Sequence, residues 1–581
     1  WIANTKPGKS AFDNIEDFLK PHKLMNGEIV LNKRKNGDKY TRQLWGKVAP
    51  CIHTRNDCLP SQNTIHPVDD RVFSIRELML MMTIPTEFKW ISDGEIPKNN
   101  ASYEDKCKFR KKTEFNIRQC IGEAVPTAVF ETVAKKIKKN SEFKPLSKRE
   151  LYSLIEDQKL FNYKNLIDFI KKNSNNFSLN QLIRICELAN SNRLETAAFY
   201  TPVNICFSML ESLPEFKKGH IKVLEPCVGV GNFLFLLAKK FSDKTITVDC
   251  VDINFESLEL CKLLAKKFLP SNVKLNFIHE DFLLSTKISK NYDLVIGNPP
   301  YKKITNNRAL LQKYHNNTSN KKTNNLYSFF VERAIKHGDY VSFIVPKAFT
   351  NAPEYQVTRD LVSKFKLLNI IDYNEKAFDV KIETLSFTIA TSISNKNNIT
   401  KVESYLNKKI FHQNQKYITK CSFNCWLLYR DEFFDNVCKS LKFGQFKVFR
   451  DRQITKKDSE DSGLIRIIKA RNIANGEIIY LPGYDKFLND PLPFAVSKFL
   501  NADVIVVPNL TYNPRAARLP KNCIADGSAA ILYSDSQITD KDIAYFSSNE
   551  FKNFYRIARN FGTRSMNIDS VSVNFFGIKE S

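Results

Sequence analysis

Leu294-Val295-Ile296-Gly297-Asn298-Pro299-Pro300-Tyr301 decides the reading of this chain. The four leading residues read as a buried strand, and the double proline as the stiff turn that ends it. The Asn298 side-chain oxygen and the Pro299 main-chain carbonyl are then two hydrogen-bond acceptors on a rigid backbone, with the Tyr301 ring beside them. A conjugated amino group is a poor nucleophile, because its lone pair is delocalised. Acceptors for its hydrogens let the nitrogen pyramidalise, and an aromatic ring lets a flat base stack. Taken alone, the turn also reads as an ordinary strand end. The residues upstream bear on the choice.

Val223-Leu224-Glu225-Pro226-Cys227-Val228-Gly229-Val230-Gly231-Asn232-Phe233 reads as a short strand, a Gly-x-Gly turn and the start of a helix. Such a turn lets the backbone approach a nucleoside closely. A second strand, Ile246 to Val251, ends in Asp252, about 20 residues past the glycines, where a carboxylate can accept ribose hydroxyls. A third, Leu275 to Ile278, leads to Asp281-Phe282. Three strand ends followed by Asn-Pro-Pro-Tyr describe one crevice along the carboxyl edge of a doubly wound α/β sheet. The full G-x-G-x-x-G pattern is absent, which argues against a dinucleotide.

In this order the motifs of residues 193–400 resemble the gamma-class, TaqI-like, S-adenosylmethionine-dependent DNA adenine-N6 methyltransferases. Phe199-Tyr200-Thr201-Pro202 stands where that class carries Tyr-Thr-Pro. Asn324-Asn325-Leu326-Tyr327-Ser328-Phe329-Phe330 and Phe343-Ile344-Val345-Pro346-Lys347 match its later segments. The resemblance implies a Rossmann-like methyltransferase sheet and S-adenosyl-L-methionine as cofactor. It implies cofactor contacts from Tyr200, Thr201, Pro202, Glu225, Pro226, Cys227, Gly229, Gly231, Asn232, Phe233, Asp252, Ile253, Asp281, Phe282 and Asn298. Catalysis falls to Asn298, Pro299, Pro300 and Tyr301. The adenine must leave the duplex. Tyr301 would stack on one of its faces and Phe378 on the other, with Phe387 as runner-up.

The bulk properties fit a multidomain enzyme of 581 residues: 43% hydrophobic and 12% aromatic, enough for packed cores. A net charge of +26 points to a polyanionic partner, although a Lys- and Asn-rich composition also follows from AT-rich coding. Thirteen cysteines lack paired spacing, and Cys421 and Cys425 have no histidine nearby, so no metal site is expected. Cys206, Cys250 and Cys261 sit in apolar runs and read as buried thiols, consistent with a reducing cytoplasm. No run of about 18 apolar residues predicts a membrane span, and no signal peptide is visible. The chain begins at Trp1, which reads as processing or as a fragment of a longer frame.

Residues 1–138 are expected to form a small appendage. Arg76-Glu77 followed by Gln119-Cys120-Ile121-Gly122-Glu123-Ala124-Val125-Pro126 resembles the C-terminal motifs of cytosine-5 DNA methyltransferases, with Glu123 in place of the usual Asn. The nucleophilic Pro-Cys loop, the Glu-Asn-Val segment and the glycine loop of that family are missing. The region is therefore read as a truncated tail that cannot methylate cytosine. A cytosine-5 tail joined to an adenine enzyme resembles the fused methyltransferases of type IIS restriction-modification systems. Residues 139–192 read as a helical connector.

From 401 to 581 short strands, basic residues and aromatic residues interleave, where gamma-class enzymes carry a mixed α+β target-recognition domain. Arg466 to Ile473 reads as a basic strand, and Val504 to Asn509 as a buried one leading into a loop with Tyr512, Arg515 and Arg518. With Lys347, Arg471 and Arg564, these are the candidate DNA contacts. The expected partners are double-stranded DNA and, functionally, a cognate restriction endonuclease. A protein-glutamine or RNA-base methyltransferase, or a non-catalytic DNA-binding specificity subunit, remains an alternative. A nuclease is disfavoured, because Glu131 with Lys135 is too little for a carboxylate cluster.

Overall fold

A computed structural model describes the chain except for residues 14–15, 33–38, 49–50, 62–63, 93–94, 142, 144, 191–200, 379, 395–396, 510–512, 563–567 and 580–581. It comprises two compact units, Trp1–Pro145 and Leu146–Ser581.

In the first unit, β1 (His22–Met25) and β2 (Glu28–Leu31) form an antiparallel hairpin. Its turn residues, Asn26 and Gly27, both take positive φ, 51° and 85°, as a tight hairpin of this twist requires. Helix Ile75–Met81 starts at Ser74, whose side chain and Glu77 form a reciprocal capping box. A small core of Phe73, Leu78, Met79, Met82, Ile84 and Ile121 holds it against helix Tyr103–Glu123. The buried Arg42 guanidinium donates to the carbonyls of Thr5, His66, Val68, Asp69 and Ile2 and pairs with Asp70, knitting loops that carry little regular structure. Helix Thr127–Ser141 follows Pro126.

The second unit is built on a nine-stranded sheet. Its strands are β3 (His220–Glu225), β4 (Thr245–Asp252), β5 (Val273–His279), β6 (Tyr292–Gly297), β7 (Gly338–Pro346), β8 (Phe365–Asn374), β9 (Thr384–Ser394), β10 (Ile399–Ser404) and β11 (Lys409–Asn414). The spatial order is β11-β10-β8-β9-β7-β6-β3-β4-β5. β5, β4, β3, β6 and β7 run parallel, and β9 inserts antiparallel between β7 and β8. The chain winds one way from β3 to β5 and the other way from β6, so β3 and β6 flank the switch point where such sheets bind ligands. β6 is buried along its whole length, as its apolar run predicts.

The sheet does not stop at residue 400. β10 pairs parallel with β8 and β11 closes the edge, so the domain boundary expected there falls inside β10. The segment expected as a connector is a packed layer. Helices Lys148–Asp157, Tyr163–Asn173 and Leu179–Ala189 bury Ile155, Ile170, Leu182 and Ile185 in one cluster with Leu260 and Leu264 of helix Phe255–Phe268.

The C-terminal part holds a four-stranded sheet (Lys447–Phe449, Ala529–Tyr533, Ile505–Pro508 and Ala517–Arg518, in spatial order) and a three-stranded one (Lys486–Leu488, Ile465–Ile468, Cys523–Ala525). The basic strand expected over Arg466–Ile473 is shorter: it ends at Ile468 and turns into a 3-10 helix, Ala470–Asn472. One apolar cluster joins this part to the nine-stranded sheet: Trp426, Phe434 and Phe554 share it with Phe349 and Phe387. Asn560, buried and at φ 50°, ties the same seam, accepting from the Leu428 N–H and donating to the Trp426 carbonyl and the Thr350 hydroxyl.

Candidate active site

A cavity of about 530 Å³ opens at the carboxyl ends of β3, β4 and β6, at the switch point of the sheet. Its wall includes Thr201, Glu225, Pro226, Cys227, Gly229, Asn232, Phe233, Asp252, Ile253, Asp281, Phe282, Asn298 and Pro300. These residues come from five separate stretches of sequence, brought together because parallel strands all present their carboxyl ends to one edge.

Hydrogen bonds hold each stretch. Asp252 accepts from the Gly229 N–H and the Asn254 N–H, both at 2.8 Å, which locks the glycine turn to the end of β4. Burial raises its carboxyl above the ordinary value, against the pull of those amides. The Asn232 carboxamide donates to the Thr201 carbonyl and to Glu187, both at 2.7 Å. Asp281 accepts from the Leu283 N–H at 2.9 Å and the Tyr314 hydroxyl at 2.7 Å. The Cys227 thiol donates to the Asn298 main-chain carbonyl at 3.1 Å, and burial keeps that thiol protonated. Past the turn, Lys302–Asn307 also lines the cavity, pinned by bonds between Ile304 and Asn324 and between Leu326 and Lys302.

Glu225 is the unusual member of the set. It is 1% exposed, faces the cavity, and its Oε2 has no hydrogen-bond partner among the described residues. Burial, with the Asp252 charge behind it, pushes the carboxyl well above its usual range. A buried carboxyl left without a donor is costly, and a cationic ligand would supply both charge and donors.

Several expected residues stand elsewhere. Gly231 is not on the cavity wall: it caps helix Asn232–Lys240 at φ 93°, and a Cβ there would meet Cys261 Sγ at 2.9 Å, so its glycine serves helix packing. Pro202 caps helix Val203–Glu211. Pro299 is buried beneath the turn. The Tyr301 hydroxyl donates to the Ile344 carbonyl at 3.2 Å, and burial holds it as a neutral phenol. Its ring meets Phe378 edge to face, centroids 6.3 Å apart and planes at 82°. Phe387 is fully buried and stacked on Phe349 at 5.6 Å, so it is part of the core rather than a base platform. Tyr200, Tyr512 and Arg564 lie outside the described residues.

The basic candidates also sort differently. Lys347 is 4% exposed and pairs with the buried Asp372 at 2.7 Å, so it has no reach to a phosphate. The Arg515 guanidinium donates to the carbonyls of Ile473 and Ala470. Arg518 pairs with Asp503 and Asp540 and donates to the Ile538 carbonyl. Arg471 alone of these stays outward, over the Tyr484 ring at 5.0 Å, with Lys469 at 5.2 Å from the same ring. Tyr314 and the Lys302–Asn307 loop line the cavity, and Glu187 braces Asn232 behind it; none of these is marked in the sequence, because each acts through a partner distant along the chain.

The sheet order, the switch-point cavity and its acidic strand ends are those of a Rossmann-like methyltransferase fold. Residues 135–378 match the Eco57I restriction-modification methylase family. The chain is similar to the type II methyltransferase M1.HgaI of Avibacterium volantium, 33% identical over 146 residues, 24% of this chain and 34% of that protein. It is similar to the type II methyltransferase M.VspI of a Vibrio species, 26% identical over 191 residues, 32% of this chain and 46% of that one. A release factor glutamine methyltransferase of Dictyoglomus turgidum is 39% identical over 87 residues, 15% of this chain and 29% of its own. The chain thus spans a third to a half of the two type II relatives.

S-adenosyl-L-methionine is the cofactor, and the cavity fits it. Glu225 offers an unsatisfied buried carboxyl to a cationic group, and Asp252 a strand-end carboxylate to ribose hydroxyls.

Proposed function

We propose that the chain is a site-specific DNA adenine-N6 methyltransferase of a type II, and specifically type IIS, restriction-modification system. Asn298 carries the proposal, because it lies on the same cavity wall as Glu225, Gly229 and Asp252. The cofactor, when bound, supplies an electrophilic methyl group. The chain does the rest. Asn298 and the Pro299 carbonyl accept the amino hydrogens and free the nitrogen lone pair. Tyr301, kept neutral, offers a face to an adenine extruded from double-stranded DNA. Phe378, edge-on to that ring, is the proposed second aromatic wall and would have to turn to face the base. Thr201, Glu225, Cys227, Gly229, Asp252 and Asp281 hold the cofactor side.

Arg471 and Lys469 around Tyr484 form a basic and aromatic surface suited to a nucleic acid backbone. A functional partnership with a cognate restriction endonuclease follows from this reading. Residues 1–138 are read as the tail of a cytosine-5 enzyme without its catalytic elements. Among the described residues, no helix is long and apolar enough to cross a membrane. A second reading, methylation of a protein glutamine amide, is favoured by the 87-residue likeness to a glutamine methyltransferase, since an amide nitrogen needs the same acceptors.

The test is methylation of plasmid DNA with labelled S-adenosylmethionine, followed by mass spectrometry of the nucleosides. N6-methyladenine is the expected product. 5-Methylcytosine instead would overturn the assignment, and label in a glutamine-containing protein substrate but not in DNA would favour the second reading. 2-Aminopurine at the target position should brighten on binding if the base is extruded.

A further inference from the structure

The turn Cys421–Cys425 lies where the methyltransferase sheet meets the C-terminal part. The Arg359 guanidinium donates to the Asn424 carbonyl at 2.8 Å and to the Phe349 and Ala352 carbonyls. The Trp426 N–H reaches the Thr350 carbonyl at 2.7 Å, and the Leu428 N–H reaches Asn560 at 2.8 Å. The chain turns back sharply there, with Asn424 at φ 53°. That turn brings Cys421 Sγ to 3.6 Å from Cys425 Sγ, while the Cys421 thiol also lies 3.2 Å from the Cys425 carbonyl.

The two sulfurs are unlike. Cys421 is half-buried and Cys425 is 2% exposed. A hydrogen bond from Cys425, then main-chain donors and the Arg430 charge, hold Cys421 below the ordinary thiol range. The same bond and burial hold Cys425 above it. Cys421 is thus the sulfur an oxidant can reach, and the buried Cys425 lies directly beside it. This is the arrangement of an attacking thiol with its resolving thiol. No step proposed for methyl transfer uses either.

We propose that Cys421 and Cys425 form a reversible intramolecular disulfide when the protein meets hydrogen peroxide. The Cys421 thiolate attacks one peroxide oxygen; the O–O bond breaks, hydroxide leaves and a sulfenic acid remains. The Cys425 thiol then attacks that sulfur, the S–O bond breaks and water leaves. Two sulfurs give up two electrons, and the peroxide ends as water. Closure draws sulfurs 3.6 Å apart to about 2 Å, within a turn whose flanks are already pinned to both parts of this unit. A dithiol reductant reverses the step.

Both cysteines fall in one tryptic peptide, Cys421-Ser422-Phe423-Asn424-Cys425-Trp426-Leu427-Leu428-Tyr429-Arg430, released after Lys420 and Arg430. The full-length protein is treated with peroxide, quenched in acid, alkylated under denaturing conditions and digested. The peptide should lose both alkyl labels and weigh two hydrogens less than the dithiol. Dithiothreitol before alkylation should restore both labels. Cys425→Ser should leave a sulfenic acid at Cys421 that dimedone traps. Cys421→Ser should leave Cys425 labelled as in untreated protein. A parent peptide that keeps both labels while another half-buried cysteine, Cys438, loses its own would overturn the proposal. So would a Cys421→Ser protein in which Cys425 oxidises as fast as in the parent. The parent measurement stands even if either variant fails to fold.

Discussion

The Cys227 thiol donates its hydrogen to the main-chain carbonyl of Asn298 at 3.1 Å, joining the loop after β3 to the turn after β6. The two strands are neighbours, with Leu224 opposite Val295, so the bond extends a contact the sheet already sets up. Gly297 makes room for it: a Cβ there would come to 3.4 Å from the same sulfur. The loop with Cys227 and Gly229 and the turn with Asn298 are therefore one wall of the cavity. A change confined to the Asn298 side chain leaves this tie intact, because the bond uses the main chain.

Asn298→Ala should accordingly separate chemistry from binding. It removes an acceptor needed as the amino nitrogen pyramidalises, a group of the kind worth roughly 2.7–4 kcal/mol in the transition state, or about 10²–10³ in turnover. Cofactor affinity by calorimetry should stay close to the parent's. Turnover within about tenfold of the parent would remove Asn298 from the chemistry.

Glu225 should make the free protein pH-sensitive in an unusual sense. Burial first, and the Asp252 charge second, raise its carboxyl well above the ordinary carboxylate value. Between those two values the folded chain keeps a proton that the unfolded chain has released. Stability therefore falls as pH rises through that window. Glu225→Gln removes the dependence, so the variant should melt higher than the parent at about pH 8, with the gain shrinking towards the ordinary carboxylate range near pH 4. A cationic ligand prefers the ionised carboxyl, so parent affinity for S-adenosylmethionine should rise with pH across the same window. An identical pH dependence of melting in parent and variant would show that the proton sits elsewhere.

Gly231→Ala should destabilise on two counts. The left-handed backbone costs about 1–2 kcal/mol for a residue with a Cβ. The new methyl group would press on Cys261 Sγ at 2.9 Å, an overpacking typically worth about 1–3 kcal/mol. Pairing it with Cys261→Ala should recover the second share and not the first. Urea unfolding of the two single variants and the double variant checks this. Strict additivity would mean the sulfur is not the obstacle.

The strand ends at Glu225, Asp252 and Asn298 were legible because parallel buried strands write themselves as short apolar runs, and the sheet then puts every carboxyl end on one edge. Asp281 follows the same rule. What stayed hidden depends on partners distant in sequence. Tyr314 reaches Asp281 from a helix with no distinguishing pattern. Lys347 and Arg518 look like free charges in the sequence, yet each is matched by a carboxylate that only folding brings near. The strands around and after residue 400 read as the next domain for a related reason: they are short, and only the pairing of β10 with β8 and of β11 with β10 makes them part of the sheet.

That distinction gives opposite expectations for Lys347 and Arg471, two basic positions that the sequence alone offers as DNA contacts. Lys347→Ala leaves Asp372, 1% exposed, without its cation, although the Tyr429 hydroxyl still reaches it at 2.7 Å. Breaking a buried pair from one side costs about 3–5 kcal/mol, so this variant should lose stability. Its DNA affinity, measured where it is still folded, should keep the parent's salt dependence. Arg471→Ala should behave in reverse. The side chain is exposed over Tyr484 and carries no buried partner's charge, so melting should hardly move. If the guanidinium meets a phosphate, the slope of log affinity against log salt should fall by about one, because one fewer counterion is released. Binding titrations over a series of salt concentrations, run beside thermal melts of the same preparations, read both quantities. An unchanged slope for Arg471→Ala would remove the phosphate contact from the Tyr484 surface, and a reduced slope for Lys347→Ala with normal stability would place one at the 3-10 helix Lys347–Thr350.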